Sequence, residues 1–152
     1  MKALVISPQP FFTPRGTPLS VYYRALIMSR LGVKIDLLTY GQGKDVDIPN
    51  VRIIRIPHLP FLGKVRIGPS LVKLILDIIL FLRTLSLLTV NRYDFVHAHE
   101  EAAFFCRPLK PIFGFKLVYD MHSSLPQQLV NFNFTRSRSI ISLFTKMEHY
   151  TI

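Results

Sequence analysis

The chain contains very little cysteine. Cys106 is the single cysteine among 152 residues, so no disulfide bond can form within the chain, and a reducing compartment is expected. One cysteine also excludes the zinc sites that are built from paired cysteines. The apolar stretch at residues 3–6 is too short for a signal peptide and predicts a first strand instead. We therefore expect a cytoplasmic protein.

Acidic side chains are also scarce. The sequence has 19 lysines and arginines against 9 aspartates and glutamates, which gives a formal net charge of +10. Such a charge favours anionic partners. The basic residues are scattered and form no motif of nucleic-acid binding, so no nucleic-acid partner is predicted. Two explanations of the positive charge stay open. One is a generally basic surface, and the other is a specific site that binds sugar phosphates or the headgroups of an anionic membrane.

No apolar run is both long and free of charge. Residues 71–90 are nearly long enough to span a bilayer, but Lys73, Asp77 and Arg83 interrupt them. Each charge costs about 2.5–3.5 kcal/mol at mid-membrane, so a lone membrane span is disfavoured. One interpretation is a helix packed on a sheet, with the stripe of Lys73, Asp77 and Thr84 in water. The other is an interfacial helix on the inner face of the cytoplasmic membrane, with Lys73 and Arg83 near the headgroups.

Short β-branched segments alternate with helical patterns along the chain. Strands are predicted at residues 2–7, 33–40, 51–56, 94–98 and 116–120, the third of them at a sheet edge. Helices are predicted at residues 18–31, 71–90, 100–106 and around 140–147, with Pro108 stopping the third. This alternation predicts one domain of the α/β class with a Rossmann-like, doubly wound parallel sheet.

Right-handed crossovers would bring the ends of strands one, four and five to the same edge of this sheet. Three polar loops, at residues 8–17, 97–101 and 120–124, should therefore meet in one crevice. In the first loop, Thr17 is predicted to cap a helix that begins at Pro18. Gly16 lacks a side chain, so its backbone could approach a phosphate at the helix N-terminus. The G-x-G-x-x-G pattern of dinucleotide-binding sites is absent.

Two histidines close the fourth strand. His97, inside the strand, is interpreted as a core residue, whereas His99 at its end is better placed to meet a substrate, for example through a hydrogen bond to a sugar hydroxyl. The helical H-E-x-x-H spacing is absent, and no metal or other cofactor is predicted. A metal-dependent hydrolase stays open as an alternative, built from His97, His99, Asp120 and His122.

Four stretches together resemble the N-terminal, acceptor-side domain of family-four glycosyltransferases, which have the GT-B fold. These stretches are KALVIS (2–7) leading to PRGT (14–17), LGVKIDLLT (31–39), YDFVHAHE (93–100) and LVYDMH (117–122). The resemblance covers nearly the whole chain. It implies retaining transfer of a sugar from a nucleotide-sugar donor to an acceptor, such as a glycan or a lipid-linked sugar, without a required metal.

The resemblance also implies roles for individual residues. Gly16 would contact the donor diphosphate through its backbone, next to Thr17. His99 would be the catalytic-site histidine beside the transferred sugar. Arg15, Glu100 and His122 would bind the acceptor.

The second, donor-binding domain of the family has no counterpart in residues 1–152, so this chain is expected to be the truncated N-terminal half and inactive by itself. A second chain that supplies the donor domain would complete the enzyme. A stand-alone binding module for a phosphorylated or lipid ligand is the alternative function.

Overall fold

Five strands form one all-parallel sheet in a computed structural model that describes residues 1–62, 65, 70–133, 135 and 137–152. The strands are β1 (Lys2–Ser7), β2 (Lys34–Thr39), β3 (Val51–Arg55), β4 (Phe95–His99) and β5 (Lys116–Asp120), in the spatial order β3-β2-β1-β4-β5. The predicted α/β class and its Rossmann-like, doubly wound sheet are confirmed. The edge position of the third strand is confirmed as well.

Helices cover both faces of this sheet. They are α1 (Gly16–Arg30), α2 (Leu71–Val90), α3 (Ala102–Phe113), α4 (Leu125–Asn131) and α5 (Arg138–Thr151), with a 3₁₀ turn at Pro60–Leu62. Alternate residues of β1 point to opposite faces, as the period of a strand requires. Ala3 and Val5 pack with α1, whereas Leu4 and Ile6 pack in the core beneath α2 and α3. The sheet therefore separates two apolar cores.

Helix α1 begins earlier than the sequence predicts. Its first residue is Gly16 and its N-cap is Arg15, so Thr17 lies inside the first turn and does not cap the helix. The backbone of Arg15 is extended, with φ −133° and ψ 164°, which any residue can adopt at an N-cap. The three residues Arg15, Gly16 and Thr17 therefore form the very start of the helix.

The prediction for helix α3 is also corrected. The helix does not stop before Pro108 but continues through it and through Pro111 to Phe113. Each interior proline removes one hydrogen bond, yet the opposite face of the helix buries Cys106 and Leu109 in the core. Helices in proteins draw most of their stability from such packing. Gly114, with a left-handed φ of 73°, ends the helix.

Helix α2 has the predicted bounds but the reverse orientation of its polar stripe. The stripe was expected to face water, yet Thr84 is fully buried and the side chain of Lys73 is only 13% exposed. Asp77 accepts a hydrogen bond from the hydroxyl of buried Tyr40, the residue that follows β2. The face turned to solvent is apolar instead: Leu71, Leu74, Ile75, Ile78 and Leu82 are all exposed. Within the described residues, no helix combines the length and the apolarity needed to cross a membrane.

Candidate functional site

The carboxyl ends of β1, β4 and β5 meet at one edge of the sheet, as predicted. Ile6 of β1 is paired with Ala98 of β4, and His99 of β4 is paired with Asp120 of β5. The chain crosses over between β1 and β4, because β2 and β3 lie on the other side of β1. Open α/β sheets bind their ligands at such a switch point.

A groove of about 530 Å³ lies at this edge. It contains five of the six site residues that the sequence predicted, namely Arg15, Gly16, Thr17, Glu100 and His122. Residues of the first loop and of α4 complete its walls, among them Gln9, Thr13, Ser123, Gln128 and Asn131. The convergence of the three loops, which the crossover rule predicts, places these side chains around one space.

One wall of the groove is the N-terminus of α1. The first turn contains no acidic residue, and no side chain among the described residues caps it. The backbone N–H groups of Gly16 and Thr17 lie in the turn where helical N–H groups lack intrahelical partners. Together with the positive end of the helix dipole and the guanidinium of Arg15, they form a place that suits an anion.

Glu100 also lines the groove, and its backbone conformation is unusual. Its φ of 49° is left-handed, which few residues other than glycine adopt and which costs on the order of 1 kcal/mol. The N–H of Glu100 donates to the carbonyl of Asp120, which holds this turn against β5. Strained residues of this kind cluster at functional sites. The turn lies where the groove begins, and the carboxylate of Glu100 is 19% exposed.

Behind the groove, three histidines surround Asp120. The Oδ2 atom of Asp120 lies 3.3 Å from Nε2 of His97 and 3.1 Å from Nδ1 of His99. The guanidinium of Arg24, on α1, contacts the same carboxylate. Nδ1 of His99 is also hydrogen-bonded to Nε2 of His122, at 3.3 Å. Residues from β4, β5 and α1 thus form one connected cluster.

The placement of His99 differs from what we expected. His99 is only 1% exposed and does not line the groove, whereas the side chain of His122 is 22% exposed and does. The rings of His99 and His122 are nearly parallel, with centres 5.5 Å apart. His99 therefore lies behind His122, and the imidazole that faces the groove is that of His122. His97 is 8% exposed, a core position as predicted.

The surroundings of the three histidines favour the neutral form of each imidazole. Burial, followed by the charges of Arg24 and His122, lowers the pKa of His97 to about 4. Burial, followed by the charges of His97 and His122, lowers the pKa of His99 to about 2. The pKa of His122 is lowered too, by burial above all. Arg24 supplies the positive charge that balances Asp120, so the imidazoles can act as neutral donors and acceptors.

The arrangement brings together the residues that a metal site would need. Ligand atoms of His97, His99 and Asp120 all lie within 4.8 Å of one another. One feature opposes a metal ion there. The guanidinium of Arg24 contacts the carboxylate that the ion would need, and its positive charge would repel the ion.

Sequence reasoning missed Lys73 as a residue of the site. Lys73 lines the groove, and its Nζ atom lies 2.5 Å from Oε1 of Glu101 and 3.6 Å from Oε2 of Glu100. Burial disfavours its charged form, but the two glutamates outweigh burial and raise its pKa. The signal in the sequence was the i, i+4 pair of Lys73 and Asp77 in the largely apolar first half of the helix. Its polar partners lie on other elements, which the sequence does not bring together.

Comparisons of the chain with models of known protein families and with curated proteins found no match. The resemblance to glycosyltransferases therefore stays a prediction, and the chemistry of the groove is the basis for inferring a function.

Proposed function

We propose that the groove is the N-terminal half of a sugar-transfer site, which binds the phosphate groups of a nucleotide-sugar donor on one wall and the sugar hydroxyls of an acceptor on the other. The observation that carries the proposal is that groups suited to a phosphate and groups suited to a sugar hydroxyl line the same groove. Arg15, Gly16 and Thr17 form the N-terminal end of α1, which suits an anion, and Glu100 and His122 line the same groove.

On the first wall, a diphosphate would accept hydrogen bonds from the N–H groups of Gly16 and Thr17 and would pair with Arg15. The space around Gly16 supports this role. A Cβ atom added there would meet nothing within 4 Å, and the residue has no positive φ. The fold therefore does not require glycine at this position, and a ligand that approaches the backbone closely gives a reason for it.

On the second wall, a sugar hydroxyl would donate to the carboxylate of Glu100 and hydrogen-bond to the neutral imidazole of His122. Such an imidazole can accept a proton from a reacting hydroxyl. His99 and Asp120 would act as positioning residues, because they hold His122 from behind and do not reach the groove. The sugar-facing histidine would then be His122, with His99 behind it.

The groove by itself is open to solvent on one side, since Arg15 and Gly16 are exposed. A charged transition state is stabilised best in a site that excludes water. We therefore propose that a donor-binding domain, in the same polypeptide or in a second chain, supplies the opposite wall. Sugar transfer would need both, and this half alone would bind donor weakly.

Gly16→Ala tests the anion wall. The fold should tolerate the change, since the new methyl group has open space and alanine is a better helix former than glycine. The methyl group should obstruct a phosphate at the N–H. We expect affinity for pyrophosphate and for nucleoside diphosphate sugars, measured by isothermal titration calorimetry, to fall about tenfold to a hundredfold. Arg15→Gln should act in the same direction.

Ser20→Ala is the matched control, because Ser20 lies on α1 but outside the residues that line the groove. Equal affinity of wild type and Gly16→Ala for all these ligands would refute the anion wall. If radiolabelled sugar transfer stays absent after a donor-type domain is added, the transferase proposal fails.

A second candidate is a binding module that docks on a lipid surface. The observation in its favour is the exposed apolar face of α2, which includes Leu74, Ile78 and Leu82. Apolar faces of this kind on a helix mark sites of interaction with membranes or proteins. The basic net charge would add attraction to anionic lipids.

A further inference from the structure

A second cavity, of about 390 Å³, lies beside the groove and has a different character. Four helices form it: α2, α3, α4 and α5. Most of its lining is apolar, from Leu74, Phe104, Phe105, Leu125, Leu129, Phe144 and Met147. Cavities of this size and composition bind the apolar parts of small molecules.

The cavity and the groove are neighbours. Two side chains, Lys73 and Gln128, line both of them. Among the described residues, these two side chains therefore border both the polar space at the sheet edge and the apolar space between the helices. A ligand that passes them would meet hydroxyl-binding groups on one side and hydrocarbon on the other.

The polar groups at the wall of the cavity already have partners. Glu101 is paired with Lys73, and Asp77 accepts the hydrogen bond of Tyr40. Burial, together with the charge of Glu101, raises the pKa of Asp77 to about 8, so this carboxyl is mostly protonated at neutral pH. A charged ligand group would lose its hydration on entering this apolar space, and the nearby ammonium of Lys73 is already paired. The cavity suits a hydrocarbon chain.

The junction also indicates the charge of the ligand's head. Glu100 and Glu101 share the ammonium of Lys73, so that ammonium is not free to pair with an anionic head. An anionic head at this place would be repelled. Sugar hydroxyls, in contrast, donate hydrogen bonds to carboxylates.

We infer that the groove and the cavity together form one site for an amphiphile, which places a neutral, hydroxyl-rich head beside Glu100 and His122 and an apolar chain between α2, α3, α4 and α5. This inference rests on the proposed function and narrows it: the acceptor is a sugar carried on a hydrocarbon chain. Leu74 stands at the rim of the cavity, 55% exposed, and begins the apolar face of α2. A long chain would leave the cavity along that face.

Alkyl glucosides with increasing chain length test the site on the wild-type chain. Binding of methyl, butyl, hexyl and octyl β-glucoside is measured by calorimetry below the micelle concentration of each. Affinity should rise about threefold to fourfold for each methylene group that enters the cavity. Equal affinity for methyl and octyl glucoside, or binding of neither, would overturn the inference.

A matched pair of variants separates the cavity from the exposed helix face. Leu74→Glu places a charge at the rim of the cavity. Leu82→Glu makes the same change on the same helix at a leucine of similar exposure, 58% against 55%, which does not line the cavity. We expect octyl glucoside to bind at least about tenfold more weakly to Leu74→Glu, and Leu82→Glu to bind it like wild type. Circular dichroism melts of both variants verify that they are folded.

Two results would contradict the inference that the alkyl chain binds inside the cavity. An equal loss in both variants would mean that the alkyl chain only adsorbs to the apolar face of α2. A dimer that Leu74→Glu dissociates, without a change in chain-length dependence, would mean that a second copy covers the cavity. The pyrophosphate titration with Gly16→Ala does not involve the cavity, so the sugar-transfer proposal and the amphiphile site can fail separately.

Discussion

At the scale of single residues, the pairing of Arg24 with Asp120 adds to the effect of burial on the histidine cluster. Asp120 alone would favour protonated imidazoles, because an opposite charge within a few ångströms stabilises the charged form. Arg24 contacts the carboxylate and cancels its charge. Burial above all, with the charge of Arg24 added, lowers the pKa of His97 and of His99, so both rings stay neutral behind His122.

Replacement of Arg24 should change the protonation of these histidines. In Arg24→Met, we expect the pKa of His97 to rise, because the lowering by the Arg24 charge is lost and Asp120 is left unbalanced. Titration of the histidine Cε1–H signals by NMR measures the change. Arg30→Met, in the last turn of the same helix, is the control. Superimposable titration curves for wild type and Arg24→Met would contradict the assigned role.

The left-handed backbone conformation of Glu100 determines where two neighbouring carboxylates lie. Its left-handed φ lets the chain turn sharply between β4 and α3. The same turn allows Glu100 to line the groove while Glu101, the next residue, lines the apolar cavity. Both carboxylates reach Lys73 from this position. One residue in a costly conformation thus gives adjacent carboxylates two different surroundings.

At the scale of elements, α2 is unusual because its polar side chains face inward and its apolar ones face outward. Lys73 pairs with Glu101 beside α3, and Asp77 accepts a hydrogen bond from Tyr40. The hydroxyl of Thr84 donates to the carbonyl of Leu80 within α2 itself. Buried polar groups are tolerated when they are hydrogen-bonded or paired. The exposed side of α2 consists largely of leucine and isoleucine. Such a patch indicates a surface that interacts with another molecule.

The burial of Asp77 predicts how stability depends on pH. Its pKa is raised from 3.8 to about 8 in the folded chain. Between these values the unfolded chain loses the proton while the folded chain keeps it, so the free energy of unfolding falls as pH rises. Relative to Asp77→Asn, wild type should lose up to about 1.4 kcal/mol per pH unit in this range. Urea unfolding at several pH values measures the difference.

The control for this prediction is Asp47→Asn, in an exposed loop. The stability difference between that variant and wild type should show no comparable trend. If the curves for wild type and Asp77→Asn run parallel from acid to neutral pH, the carboxyl of Asp77 is not held in its protonated form.

At the scale of the whole molecule, net charge and the face of α2 act together. The formal charge of +10 attracts anionic surfaces. The apolar face of α2 lies on the opposite side of the sheet from α1 and carries Arg83 at its exposed edge. A lipid surface that met this face would meet hydrocarbon and positive charge together.

The lipid-surface candidate predicts binding to vesicles that contain anionic lipids. Flotation at low salt should recover the protein with the vesicles, and about 1 M salt should release much of it, because the Debye length falls to about 3 Å. Arg83→Gln should weaken binding about fivefold, since a basic residue at an anionic surface contributes about 1 kcal/mol. Arg30→Gln, on α1, should bind like wild type. Failure to float with anionic vesicles at low salt would count against the candidate.

The sequence by itself predicted most of the sheet and much of the groove. The bounds of β1, β5 and α2 agree with the patterns, because alternation of period two and runs of apolar residues are local properties. The meeting of three loops at one edge follows from parallel strands and right-handed crossovers, which need no side-chain detail. Arg15, Gly16, Thr17, Glu100 and His122 could therefore be assigned to one crevice in advance.

Only the tertiary structure decided which histidine faces the groove and which way the polar stripe of α2 points. His99 is hidden because His122, from a loop 23 residues further along the chain, lies in front of it. Lys73 and Asp77 turn inward because Glu101 and Tyr40, on distant segments, provide their partners. A periodic pattern shows that residues share a face, but the polar groups that face it come from elsewhere in the chain. Those long-range partners set the cost of burial, and so they decide the orientation.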